Sequence, residues 1–415
     1  MKAFTGATLI NGTGTSPLKD ATVVVDGDRI EMVGPRATTK VPPSAKIIDV
    51  SGLTLLPGLI DCHDHLAHFS YDISSRWGLI EPSSLYHIRI AQVLKQTLET
   101  GYTTVRDAAG LDAGFKQAVE DGLIPGPRLQ VALNFITPTG GQGDRTTPSG
   151  LTPPPDITLP DGVANGPKAI RTKVREMVQA GADVIKTATT GWGRPTKGLG
   201  PKDLIITREE LEALVDEAHA LGRRVMCHVL GGAGLRLAVE VGVDSIEHGS
   251  YLDEDPELLS MMAEKNIFFT PTFGVFVYHA ERGTPHDQAS ANDFRSHHMA
   301  SLQLAMEAGV KVVAGTDEGA WVHGNNAHEI RLLVQSGMSP MQAIVAATGH
   351  AAQCLGLDAE IGTIVPGKKA DLILVDGDPL KDVTILEAGR KVRLVMKDGE
   401  TYLNHTSKLK GPSSI

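Results

Sequence analysis

Hydrophobic and polar positions change period along the chain. Up to about residue 55, short runs alternate or stay apolar for four or five positions: Ala7-Thr8-Leu9-Ile10, Ala21-Thr22-Val23-Val24-Val25, Arg29-Ile30-Glu31-Met32-Val33 and Lys46-Ile47-Ile48-Asp49-Val50. With the Asp26-Gly27 turn between two of them, this pattern predicts antiparallel strands. Gly12-Thr13-Gly14-Thr15 precedes neither a lysine nor a helix and is read as a turn, not a phosphate loop. The same strand pattern returns at Ala370-Asp371-Leu372-Ile373-Leu374-Val375-Asp376-Gly377 and at Val392-Arg393-Leu394-Val395-Met396-Lys397-Asp398-Gly399. The two ends are expected to build one small β domain around a central insert.

Inside the insert the period becomes helical, and a unit recurs. An amphipathic helix stops at a small residue able to turn left-handed, and a short β run follows at once. The stops are Gly101, Gly181, Gly222, Gly242, Asn266 and Gly309; the runs behind them end at Asp107, Lys186, His228, His248, Thr270 and Asp317. Thr207-Arg208-Glu209-Glu210 has the form of a capping box, and Ser339-Pro340-Met341-Gln342 adds proline at the first helical position. With strands at Leu59 to His63 and Arg128 to Leu133, the count reaches eight. Repeated parallel β/α units without an early glycine-rich nucleotide turn favour a closed barrel over an open doubly wound sheet. The expected architecture is α/β: a (β/α)8 TIM-like barrel over residues 57–362, with a small β-sandwich from residues 1–56 and 363–415.

Composition narrows the partners. At 415 residues the chain can bury a large core. The net charge of -10, with no dense Lys/Arg block, argues against nucleic acid or anionic membrane and for a small-molecule substrate. No apolar run has the length of a membrane span, and the three cysteines form neither a disulfide framework nor a C-x-x-C pair, which points to the cytoplasm. Cys62 and Cys227 each precede a histidine, so alternation turns them away from it, as packing residues. Oligomeric state is not legible, although homo-oligomers are common among barrels of this kind.

The chemistry is concentrated at strand ends, where barrel enzymes keep their active sites. The apolar run from Leu55 to Ile60, broken by Pro57-Gly58, leads into Asp61-Cys62-His63-Asp64-His65. Residues two apart on a strand share a face roughly 6.5–7 Å apart, so both imidazoles can converge on one ion. Further along, strand ends supply Lys186, His228, His248 and Asp317. Each alone has an ordinary alternative, a hydrogen-bonded core histidine or a helix-capping aspartate; six in register at one mouth point to a metal centre. His68, His297 and His298 lack a strand-end context and are expected at the surface.

On these residues the chain resembles the amidohydrolase superfamily. Pro57-Gly58-Leu59-Ile60-Asp61-Cys62-His63-Asp64-His65, Val184-Ile185-Lys186, Ile246-Glu247-His248-Gly249, Ala314-Gly315-Thr316-Asp317 and Gly367-Lys368-Lys369-Ala370-Asp371-Leu372-Ile373 match its signature segments, across nearly the whole chain. The likeness is to the two-metal subgroup. It implies that His63, His65 and Asp317 hold one ion, His228 and His248 a second, and an N6-carboxylated Lys186 both; the other reading of Lys186 is a salt-bridged barrel lysine. A carbamate offers hard oxygens to two ions roughly 3.5–4 Å apart, which a free amine does not. Zinc is the first expectation, while imidazole plus carboxylate also suits manganese or iron. The implied reaction is hydrolysis: water made acidic by the ions attacks a carbonyl at a site that includes His248, and Asp317 passes its proton to the leaving group. The bond is amide-like, in an amide, carbamate or urea.

Within the superfamily the chain is most similar to the branch of imidazolonepropionase-like proteins, prolidase-like dipeptidases and arginine carboxypeptidases. A dipeptidase or carboxypeptidase is therefore the alternative, and a non-catalytic scaffold of the same fold a second. Where those relatives tend to carry histidine and tyrosine, this chain has the loop around Gln142 and Leu230, departures that weigh against recognition of a free amino-acid end. The Gly/Pro-rich stretch 137–167 is long for a β/α connection and is either a lid or a solvated excursion. Trp192 and Arg194 follow Lys186 closely, and either line the pocket or pack at the surface; His323 follows Asp317 and is expected to contact substrate, not metal.

Overall fold

The computed structural model describes residues 1–69, 81–147, 149–152, 158–192, 200–319 and 323–406. The expected strands at the N-terminus are β1 (Lys2–Leu9), β2 (Leu18–Asp26), β3 (Arg29–Pro35), β4 (Lys46–Asp49) and β5 (Thr54–Pro57). Eleven more follow: β6 (Leu59–Asp64), β7 (Tyr102–Asp107), β8 (Arg128–Val131), β9 (Phe135–Ile136), β10 (Val184–Ala188), β11 (Arg224–Val229), β12 (Ser245–His248), β13 (Phe268–Thr270), β14 (Leu372–Val375), β15 (Val392–Lys397) and β16 (Glu400–Asn404).

Both chain ends meet in one sheet. Its order is β16-β15-β14-β5-β1-β2-β3, with β4 against β1, and the join is the antiparallel pairing of β14 with β5. Side chains from both ends, among them Phe4, Val23, Leu55, Leu372, Leu394 and Met396, share a single buried cluster.

The insert is α/β with parallel sheets. β6-β7-β8 and β13-β12-β11-β10-β9 are parallel throughout, with helices leading into the strands. All six predicted helix stops adopt positive φ: Gly101, Gly181, Gly222, Gly242, Asn266 and Gly309. Both predicted capping boxes form, at Thr207/Glu210 and Ser339/Gln342, each cap contributing on the order of 1 kcal/mol.

Two predicted strands differ. The third stops at Val131 and resumes as β9 in the other sheet, because Leu133 between them sits at φ 66°. The eighth, 312–317, makes only isolated bridges, at Val312 to Phe269 and at Glu318 to Asp64. It still bonds on both sides: Val313 N–H donates to Phe269 O (2.9 Å) on β13, and Cys62 N–H on β6 donates to Ala314 O (2.9 Å). Asp317, at φ 51°, leaves the extended conformation, and this breaks the regular ladder.

Candidate metal centre

The ends of β6, β10, β11 and β12 and the 311–318 segment bring six predicted residues together. His63, His65, Lys186, His228, His248 and Asp317 are all buried, none more than 9 % exposed. Donor atoms of His63, His248 and Asp317 lie within 4.8 Å of one another. Asp317 Oδ1 is 3.1 Å from His65 Nε2 and 3.5 Å from His63 Nε2. The His228 and His248 rings are 4.6 Å apart and the His63 and His248 rings 5.2 Å apart. The compact trio thus mixes side chains that the resemblance divides between two ions.

Three of the four imidazoles have one nitrogen committed behind them. His65 Nδ1 is bonded to Ala109 O (2.8 Å), His248 Nδ1 to Thr272 Oγ1 (2.7 Å) and His63 Nδ1 to Glu247 Oε2 (2.7 Å). Such partners fix the tautomer and aim the other nitrogen forward, as metal-binding histidines require. Burial pulls His228 down to about 3 and His248 well below the ordinary imidazole range, Lys186 adding to the first shift and His228 to the second, so both rings are neutral donors. At Asp317 burial pushes upward, but His63 and His65 outweigh it and hold the carboxyl ionised.

Lys186 tests whether the donor set fits a metal pair. Its Nζ is buried without a hydrogen-bond partner, 5.2 Å from the centre of the Phe135 ring. Burial lowers it to about 8, against the pull of Glu247 and Asp317. An orphaned amine with ready access to its neutral form is what reaction with CO2 needs. The residues therefore fit the group that the resemblance implies.

Behind His63 lies a pair that the sequence reading missed. Glu247 Oε2 binds His63 Nδ1, and its Oε1 accepts from Arg106 NH2 (2.9 Å) and from the Ser245 hydroxyl. Arg106 Nε also donates to Cys62 O (2.5 Å). Burial would raise Glu247, but Arg106 and His63 bring it down to about 2. The available signal was the charged Arg106-Asp107 pair closing an apolar strand.

The expected pocket residues are spread out. Gln142 Nε2 lies 3.4 Å from His228 Nε2. The Trp192 ring is 6.0 Å from that of His228 and 5.7 Å from that of His248, with Phe276 at 5.2 Å behind it. Leu230 is fully buried in the same cluster, beside Tyr251, Val275 and Phe294. His323 is buried too, bonded to His68 O and turned towards Asp64. Arg194 lies outside the described residues, as does part of 137–167. Surface placement fails for His298, while His68 is half-buried. His298 is 1 % exposed because Phe273 and Phe276 pack on its ring, and His68 stacks on His65 at 4.9 Å. His297 is half-buried against Asp253. Cys62, Cys227 and Cys354 are free and buried, as packing residues should be.

Residues 54–402 match the amidohydrolase family. The chain belongs to that family. This amidohydrolase is 32 % identical to ochratoxinase of Aspergillus niger, over 95 % of its own length and 85 % of the relative's. It is 26 % identical to imidazolonepropionase of Streptomyces griseus subsp. griseus, over 88 % of each chain. A crystal structure of a prolidase complexed with N-methylphosphonate-L-proline superposes with a TM-score of 0.88 at 31 % identity, covering 96 % of this chain and 98 % of that one. The protein is thus a hydrolase acting on carbon–nitrogen bonds. Among the described residues, no helix is long and apolar enough to cross a membrane.

Proposed function

We propose that this amidohydrolase hydrolyses an amide-like bond in a small molecule that bears an apolar or aromatic group, at a two-metal centre. The observation that carries the metal reading is the convergence of His63, His248 and Asp317 on one buried point, with His65 Nε2 3.1 Å from Asp317 and the orphaned Lys186 amine among the same strand ends. In this reading His63, His65 and Asp317 hold one ion, His228 and His248 the other, and Lys186, as its carbamate, both. Zinc comes first, with manganese or iron also suited to the donors. Bound there, divalent ions supply Lewis acidity and make water nucleophilic near neutral pH. Asp317, kept ionised, is the group that takes the proton and returns it to the leaving nitrogen. His248 reaches the same point, its ring 5.2 Å from that of His63.

The apolar preference rests on Trp192. Its ring lies beside both His228 and His248, backed by Phe276 and Phe294, and places a large aromatic side chain next to the centre. Ochratoxinase as a relative supports amide hydrolysis. A dipeptidase reading is favoured by the likeness to the prolidase complex. The architecture that goes with either is a closed (β/α)8 barrel over 57–362, supported by the two-sided bonding of 311–318, with 1–56 and 363–415 forming a β-sandwich.

A panel of N-aryl amides, N-acyl aromatic amino acids, phenylureas and Xaa-Pro dipeptides, run with zinc or manganese and bicarbonate, tests the assignment. The expected result is hydrolysis of aryl-bearing amides, lost on chelation, with Trp192→Ala raising KM more than it lowers kcat. Turnover confined to dipeptides selects the alternative, and full activity in metal-free protein sinks both.

A further inference from the structure

A second buried cluster lies beside the centre, on the opposite face of the same strand end. We propose that Asp64, Glu318 and His323 form a separate site for a divalent cation that locks the strand end carrying His63 and His65. The inference does not depend on the proposed reaction.

The geometry begins with His323. Its Nε2 lies 2.7 Å from the carbonyl oxygen of His68, and a carbonyl can only accept, so Nε2 carries the proton. In the neutral ring Nδ1 is then a bare lone pair, and this atom is buried with no hydrogen-bond partner. What it faces is another acceptor, Asp64 Oδ1, at 3.8 Å. Asp64 already receives the His65 N–H (2.7 Å) and the Asn326 side-chain amide (2.8 Å). Glu318 is brought alongside by the bridge between residues 64 and 318, and its Oε2 is also buried without a partner. One donor atom from each of the three residues lies within 4.8 Å of the other two, and none of the three residues is more than 5 % exposed.

His323 Nδ1 and the two carboxyl groups converge on one buried point, where a cation would satisfy all three. Among the described residues, no lysine or arginine pairs with Asp64 or Glu318. Two carboxylates and an imidazole are a donor set suited to zinc or manganese, and an imidazole whose other N–H is held by a backbone carbonyl is the usual posture of a metal ligand. Glu318 also borders a cavity of about 20 Å³ shared with Thr316 and Asn325, room for one water. The placement gives the ion its role: Asp64 separates His63 from His65, and Glu318 follows Asp317, so an ion here ties together the two segments that build the centre.

The test is metal counting on the full-length protein, stripped by chelation and reloaded with Mn2+. Wild type is expected to bind one ion more per chain than either Glu318→Gln or His323→Leu. His228→Asn, which damages the main centre, should keep the extra ion. Equal counts in wild type and both variants would overturn the proposal. Should the variants fail to fold, crystals of the wild type grown with Mn2+ decide: an anomalous peak among the three side chains is expected, and peaks confined to the main centre refute it.

Discussion

Glu247 and His63 are joined by a 2.7 Å hydrogen bond that connects the buried Arg106 to the first candidate metal ligand. Glu247 precedes His248 directly, so one dipeptide supplies both a candidate ligand and the support of a ligand on another strand. Period-two alternation would send these side chains to opposite faces. His248 adopts φ 76°, leaves the strand period, and both side chains reach the neighbourhood of His63.

Glu247→Gln should therefore act through His63. The variant keeps the shape but loses the charge that orients the imidazole and balances Arg106. Metal affinity and kcat are expected to fall by about 10- to 100-fold, as for other partners of metal-bound histidines, with KM little changed. Metal content by mass spectrometry and steady-state kinetics check this. A variant with wild-type affinity and kcat would reduce Glu247 to a packing role.

Lys186→Arg separates carbamate formation from positive charge. Arginine remains protonated and cannot react with CO2. Turnover should fall by on the order of 10³-fold, equivalent to about 4 kcal/mol of transition-state stabilisation. Wild-type protein, stripped and reloaded, should need bicarbonate as well as metal for full activity. Indifference to bicarbonate together with an active arginine variant would remove the lysine from the centre.

Much of this site was legible because parallel β/α units deliver function at strand ends, and the ends can be found from helix stops. Gly181, Gly222 and Gly242 locate Lys186, His228 and His248 almost by counting. Interior partners were not legible: Arg106 reaches Glu247 across the core, and no local pattern encodes that contact. Leu133 and Asp317 escaped for a different reason, since nothing in the sequence marks a non-glycine residue that packing holds at positive φ. His298 looked like a surface histidine only because its covering ring, Phe273, is 25 residues away in sequence.

Glu329 should make stability pH-dependent. Its carboxylate accepts the Phe273 and Gly274 N–H groups at 2.9 and 2.8 Å, but burial dominates and pushes it up to about 8. Between the ordinary carboxyl range and pH 8 the folded state holds a proton that the unfolded state has lost, so stability falls as pH rises through that window. In Glu329→Gln this contribution is absent. Thermal melts from pH 5 to 8 should fall less steeply for the variant than for wild type; parallel curves would contradict the assignment.

Gly315→Ala probes how closely 311–318 must approach β6. A Cβ at this position would collide with Thr270 Cγ2 and meet His63 Cβ at 2.9 Å and the His63 backbone nitrogen at 3.0 Å. The last is main chain and cannot rotate away, so the strands must separate or His63 must shift. Overpacking of this kind costs about 1–3 kcal/mol. It falls where Asp317 N–H bonds His63 O at 2.7 Å, so the displacement is passed directly to two candidate ligands. Gly315→Ala should lower the melting temperature and, in the protein that still folds, reduce metal content and kcat together. A variant that is destabilised yet fully metal-loaded and active would mean that the strain is relieved towards Thr270 on β13, leaving His63 in place.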